Sequence, residues 1–322
     1  MNALSTRYVS FLTRLDEKRP SLLIVAVART CLAVGSLITL VFSGPAILFD
    51  EKSYDYTNFN PVFDYVNLFY YFGFAHIAYY YAVCIALLLV VLSGYYPRVT
   101  GVLQWLVAFS IFRSATILEG GDQLTMILTF LLIPLTLCDR RRNHWSSIPS
   151  STTHYFVANV SWQLIRLQIA LLYYQSGVEK IYKLDEWKNG TAIYYFFSDP
   201  VFGYSDWLGS WFHDLLLNSY VVSTFTWGTM LFELVLFGAY FMRRRRRAHL
   251  LGAAVLFHFS IALVLGLVSF FFAMAGGLVL YLSSRKTERM VRQGVAWLSQ
   301  RKRRSLVEAT QPLPLPERAA HG

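Results

Sequence analysis

Eight apolar stretches dominate this chain, and about 20 apolar residues are what an α-helix needs to cross the hydrocarbon of a bilayer. They run Ser21 to Phe42, Phe72 to Leu92, Gly101 to Leu118, Gln123 to Leu137, Tyr155 to Val178, Tyr220 to Met242, His249 to Leu265 and Leu267 to Leu282. The third, fourth, seventh and eighth are short, which leaves six or seven crossings as an alternative to eight. Composition agrees with the pattern. Only 15% of the 322 residues are charged, against about 25% in soluble domains, and the mean hydropathy is +0.42. An ordinary soluble enzyme, a disordered chain and a disulfide-rich toxin are excluded. The expected fold is an all-α integral membrane protein of the cell (plasma) membrane, a polytopic bundle of about eight transmembrane helices.

The basic residues orient this bundle. Arg7, Arg14, Lys18 and Arg19 precede the first span, which reads as a retained anchor and not a cleaved leader. Arg98 follows the second span, Arg140 to Arg142 the fourth, Arg243 to Arg247 the sixth, and a basic tail from Arg285 the eighth. The connection holding Asp50, Glu51, Asp55 and Asp64 has only Lys52. Every second connection is basic, as the positive-inside rule requires of eight spans with both termini cytoplasmic. The chain then divides into a cytoplasmic N-terminal segment (1–20), a transmembrane domain (21–284) and a basic cytoplasmic tail (285–322). The tail carries nine Lys/Arg and three Glu, a net of +6. Met290, Val295, Trp297 and Leu298 interrupt that charge, so part of it reads as an amphipathic helix on anionic lipid. The Pro312 to Pro316 segment cannot continue a helix. The basic clusters abut membrane segments and no nucleic-acid-binding motif accompanies them, so nucleic acid is not an expected partner. Cys31, Cys84 and Cys138 form no CxxC and read as small core residues; no metal site is implied.

Two long connections, at about 46–71 and 179–219, fall on the outer side. The second is dense in aromatics: Trp187, Tyr194, Tyr195, Phe196, Phe197, Trp207, Trp211 and Phe212. Such residues suit an interfacial belt, or a mouth that admits an apolar peptide or lipid-like cofactor.

Polar groups inside spans are expensive, and those that persist usually pair, line a cavity or do chemistry. On the fifth span Ser161, Gln168, Gln175 and Glu179 fall on one narrow helical stripe. That stripe should face the interior, as helix glue or as the wall of a site. Lys180 and Lys183 end this helix. A desolvated lysine can act as a base, whereas a boundary lysine snorkels. His258 sits alone in the seventh span. Glu233 lies in the middle of the sixth, with Arg166 as a candidate partner. Glu119-Gly120-Gly121-Asp122-Gln123 reads as a tight turn, or as an outer carboxylate cluster near Lys180. No GxSxG, HExxH, Walker or dinucleotide motif is present.

The stretch Gln168 to Ala192, QIALLYYQSGVEKIYKLDEWKNGTA, resembles the signature of the HTTM (horizontally transferred transmembrane) family, to which vitamin K-dependent gamma-glutamyl carboxylase belongs. The DRRRNHW segment (Asp139 to Trp145) and Phe257-His258 with the apolar run through Ala273 are also similar to the carboxylase, and the resemblance covers roughly Ala28 to Ser284. Within the family, size, the Gly120-Gly121-Asp122 turn and Asn143-His144-Trp145 resemble the sporulation-delaying-protein B type, membrane proteins of bacterial toxin operons. That resemblance implies maturation of a secreted antimicrobial peptide, a bacteriocin-like toxin. The implied partners are its small precursor, a small soluble protein and membrane lipid.

The carboxylase resemblance implies a different reading: a quinone-dependent enzyme with a reduced quinone as cofactor, Lys180 as catalytic base, and Gln168, Gln175 and Glu179 lining the pocket. Asp122 or Gln123 stands where the carboxylase has a histidine and cannot serve as an imidazole does. His258 matches a second carboxylase histidine. The large β-rich domain that recognises the carboxylase propeptide has no counterpart here. A non-enzymatic escort or immunity protein is the third expectation. The chemistry is left open among them.

Overall fold

In a computed structural model, residues 21–52, 60–146, 155–199 and 203–310 are described, with side chains through Arg301. The basic residues before Ser21, Asp55 and the proline-rich end lie outside these residues. A helix occupies each of the eight expected places: α1 (Leu22–Phe42), α2 (Ile77–Leu92), α3 (Pro97–Ser114), α4 (Gly120–Leu137), α5 (Tyr155–Tyr182), α6 (Ser219–Gly238), α7 (Arg244–Leu265) and α8 (Val268–Leu282). The tail continues as α9 (Arg285–Thr310). Five helical stretches are both long and apolar enough to cross a membrane: Leu22–Phe42, Phe74–Leu92, Gly120–Leu137, Ser219–Phe241 and Arg244–Leu265. The chain is therefore a multi-pass membrane protein. Of the other three helices, α3 carries Arg98, Gln104 and Arg113, α5 carries Arg166 and Lys180, and α8 is only 15 residues long.

Local chemistry sets the helix ends. Pro97 opens α3 at a position whose N–H needs no partner. Asn218 starts α6 by accepting from the Tyr220 and Val221 amides. The expected Gly120-Gly121 hairpin turn is instead the first turn of α4. Glu119 and Asp122 cap it reciprocally as a capping box. Two glycines permit a tight turn, but here the reciprocal cap outweighs their poor helix propensity.

Two apolar cores hold the bundle. One joins α1, α4, α5, α6, α7 and α8 through Leu32, Leu128, Ile169, Leu236 and Leu278. The other joins α1, α2 and α3 through Leu40, Tyr80, Leu88 and Ile111. Lipid tails are as apolar as these side chains, so close backbone approach supplies much of the packing. At α1–α8, a Cβ on Gly35 would lie 3.1 Å from the Ser269 carbonyl oxygen, and one on Gly276 would lie 3.0 Å from that of Ala28. At α3–α4, a Cβ on Gly101 would come within 2.7 Å of Thr136 Cβ. Gly101→Ala is expected to cost about 1–3 kcal/mol through overpacking. Gly252→Ala, which meets nothing within 4 Å, is expected to be neutral or slightly stabilising. Thermal unfolding of the purified protein in detergent compares the two.

The expected long outer connections carry short helices. Pro61–Asp64 is pinned to the end of α3, where Arg113 donates to both Asp64 oxygens at 2.9 and 3.2 Å. The α5–α6 connection folds as Asp185–Lys188, Ala192–Phe197 and Gly209–Leu216. Its Ile193 amide donates to Thr226 on α6, and the Trp227 indole donates back to the Lys188 carbonyl. The Ser205 amide donates to Val264 O near the end of α7. This layer therefore rests on the first half of α6 and the end of α7.

Candidate functional site

Five polar side chains from three helices meet beneath that layer. Lys180, in the last turn of α5, donates through Nζ to Ser176 Oγ at 2.7 Å and to the two Glu233 oxygens at 2.7 and 2.6 Å. Its ammonium also lies 5.0 Å from the centre of the buried Trp187 ring, within cation–π range. The Lys180 and Glu233 side chains are only 19% and 10% exposed, so this is no snorkelling surface pair. The approach depends on Gly177, where a Cβ would sit 3.0 Å from Leu234. About two helical turns before Lys180 on α5, the buried Tyr173 hydroxyl lies 2.9 Å from His258 Nε2 on α7. Phe257 and Phe270 wall the histidine at 5.0 and 5.7 Å between ring centres.

The pair is also deep. Glu233 is the fourteenth residue after Ser219, which places it about 21 Å along α6 at 1.5 Å per residue. The connection layer packs on that stretch of α6 and roofs the pair with Trp187. Its aromatics divide into two sets. Trp187 and Phe212 are buried, whereas Tyr195, Phe196, Trp207 and Trp211 are exposed. A cavity of about 450 Å³ within the layer is lined by Tyr194, Phe197, Tyr204, Asp199, Asp206 and His213.

Among the characterised proteins to which the chain is similar is sporulation-delaying protein SdpB of Bacillus subtilis (strain 168), 33% identical over 264 residues, 80% of this chain and 80% of that protein. This chain belongs to the SdpB family. The same bacterium's YitO, described as uncharacterized, is 36% identical over 279 residues, 84% of this chain and 89% of YitO. No family model matches the chain, and no solved structure does.

In this SdpB-family chain several expected placements change. Glu233 pairs with Lys180 and not with Arg166, whose Nη1 donates to Gln163 Oε1 at 3.1 Å. The Ser161–Gln168–Gln175–Glu179 stripe does not face inward along its length. Only Ser161 is buried, donating to the Leu131 carbonyl; Gln175 is exposed and Gln168 and Glu179 are half-buried. Gln175 and Lys183 both donate to Glu179 Oε1, a ladder on a different side of the helix from Lys180. Apolar residues Ile165, Ile169, Tyr173 and Gly177 claim the interior face instead. Glu119 and Asp122 do not join Lys180. They bond each other's backbone, and Glu119 accepts from Ser269 on α8 at 2.9 Å. Gln123 follows on α4, half-buried. No group of His, Cys, Asp and Glu suited to a metal ion occurs among the described residues.

A second buried polar knot, at the arginine end of the bundle, was not apparent from the sequence. Arg29, 1% exposed in the middle of α1, donates to Gln104 and Thr100 on α3 at 3.1 and 3.0 Å. The charge inside an apolar run was the available signal. Nearby, Arg141 forks onto both Asp139 oxygens and donates to the Leu22 and Ser146 carbonyls. His144 lies buried beside Gly94, whose φ of +77° and lack of Cβ admit the ring. Neither His144 ring nitrogen has a hydrogen-bond partner. Burial, followed by the charges of Arg29 and Arg141, lowers the His144 pKa from 6.5 to about 3. The folded protein therefore keeps this histidine neutral while the unfolded chain protonates below 6.5. Stability is unaffected by His144 above that pH and falls as pH drops from 6.5 towards 3, by about 1.4 kcal/mol per unit. Unfolding midpoints between about pH 7 and 5 should fall for the wild type and flatten in His144→Phe, if that variant folds. Equal slopes would refute the assignment.

Proposed function

We propose that this protein is required for maturation of a small secreted antimicrobial peptide. It acts at the outer face of an eight-span bundle with both termini cytoplasmic. Membership of the SdpB family supports the biological setting. The observation that carries the reading is Lys180, desolvated between Glu233, Ser176 and Trp187 beneath a folded aromatic layer. A lysine–glutamate pair roofed in this way is built for a buried task, not for anchoring a helix at a boundary. The exposed aromatics and the cavity containing Asp199 and Asp206 suit an apolar peptide bearing basic residues. The peptide is held by that layer together with a small soluble partner.

A quinone-dependent reaction is not supported by the same geometry. Lys180 Nζ is engaged by Ser176 and by both Glu233 oxygens, so the amine is tied into that pair.

The test is deletion of the gene in a strain that makes the peptide. Mass spectrometry of the culture medium should show loss of the mature peptide or accumulation of an altered mass. Fully active, unaltered peptide at normal yield would reject the proposal. Normal peptide combined with self-killing would point to immunity instead.

A further inference from the structure

The five-arginine run after α6 does more than set topology. Arg243, Arg245 and Arg246 are exposed, whereas Arg244 and Arg247, one helical turn apart, are partly buried and turn into a cavity of about 250 Å³ bounded by α5, α7, α8 and α9. Arg166 from α5 and Arg285 from α9 complete the lining. Arg166 feels the charges of both Arg247 and Arg244, and Arg244 that of Arg285. Against these four guanidinium groups stands one lining carboxylate, Glu288, which also pairs outward with Arg292 at 3.5 Å. Four like charges sharing one cavity repel one another unless an anion enters it.

Two further observations point to a ligand. Arg166 Nε and Ser21 Oγ, on two residues that line the cavity, are buried without a hydrogen-bond partner among the described residues. Orphaned buried donors are costly, and both belong to residues that line this one cavity. The cavity wall also includes Trp162, whose indole N–H is used on the Leu280 carbonyl, and Tyr281, whose hydroxyl is used on Leu236. Arg166 and Arg247 are themselves partly engaged, on Gln163 Oε1 and the Tyr240 and Met242 carbonyls, which leaves Arg166 Nε and Ser21 Oγ as the orphaned groups of this wall among the described residues. Guanidinium forks match phosphate oxygens in a way that ammonium groups do not, and basic pockets between helices near a membrane boundary bind phospholipid headgroups.

We infer that this cavity binds a phosphate group through Arg166, Arg244, Arg247 and Arg285, as the headgroup of an anionic phospholipid or as a soluble phosphate compound. The site lies at the arginine end of the bundle, away from Lys180, and the inference stands independently of the proposed function.

The experiment uses the full chain in mild detergent. One arm adds phosphatidylglycerol, with phosphatidylcholine as the uncharged control, and counts bound lipid by native mass spectrometry. The other adds inorganic pyrophosphate and reads thermal stabilisation. Arg166→Gln/Arg247→Gln should weaken the bound species about thirtyfold, at about fivefold per arginine. Arg245→Gln/Arg246→Gln removes the same charge from exposed positions and should leave binding within about twofold. Retention of phosphatidylglycerol undisturbed by pyrophosphate assigns the headgroup; pyrophosphate stabilisation without lipid selectivity assigns a soluble ligand. Should the lining variant fail to fold, a photoactivatable phosphatidylglycerol on the wild type maps the site. Labelling of the segments around Arg166 and Arg247 supports it. Equal losses in both double variants, binding of neither probe, or labelling elsewhere overturns it.

Discussion

Lys180→Ala is expected to lower the yield of mature peptide at least about a hundredfold at matched membrane levels, the low end of what a positioned acid–base group contributes. Lys183→Ala is expected to stay within about twofold, because Lys183 is an exposed residue paired one turn back with Glu179. Mass spectrometry of the secreted peptide, with immunoblots of the membrane fraction, reads both. Removing Lys180 alone strands the Glu233 carboxylate in a site where its side chain is only 10% exposed. Breaking a buried pair in this way costs about 3–5 kcal/mol. Lys180→Met with Glu233→Gln leaves no stranded charge and should recover normal membrane levels without recovering peptide. If the double variant makes peptide normally, the pair is only helix glue and an escort or immunity role replaces maturation.

A loss of stability as large is expected from Asp139→Ala. Asp139 and Arg141 are 3% and 5% exposed and lie 2.7 Å apart. The same arginine ties the start of α1 to the connection after α4 through the Leu22 carbonyl. With Asp139 gone, Arg141 remains buried beside Arg29 with no carboxylate, at a cost of about 3–5 kcal/mol. Thermal unfolding in detergent, or the fraction of protein extracted as a monodisperse species, measures it. Asp139→Leu with Arg141→Met should recover most of the loss, since well-packed apolar replacements of a buried pair are close to neutral. An unchanged unfolding midpoint in Asp139→Ala would show that the pair is solvated.

The helices could be read from the sequence because each apolar run is a local property, and Lys180, Glu233 and His258 stood out as polar groups within such runs. Their grouping could not be read. Whether Glu233 meets Lys180 or Arg166 depends on how far α6 is displaced along α5, and both partners lie on nearly the same side of α5, fourteen residues apart. The polar stripe shows the limit of periodicity. Ser161, Gln168, Gln175 and Glu179 do share a narrow band, but Ile169, Tyr173 and Lys180 lie roughly 100° around the helix from it at 3.6 residues per turn. The apolar band decided which side turned inward. Tyr173 escaped notice because a tyrosine in an aromatic-rich span carries no mark until His258 is placed beside its hydroxyl. Arg141 was read as orienting charge, and Arg244 and Arg247 likewise. An arginine run gives no sign of which members turn inward, since that depends on where the helix surface meets its neighbours.

The close seam between α1 and α8, where Gly35 and Gly276 let the two backbones approach, joins two helices that lie far apart along the chain. During synthesis α1 must wait in the bilayer with its small-residue face unmatched until about 240 further residues have emerged, given that Gly276 follows Gly35 by 241 positions. Assembly of this protein is thus a closing of a ring and not a stepwise stacking. A ribosome that stops short of α8 leaves the α1 side of the seam uncovered and the principal core open, a product suited to removal by membrane quality control.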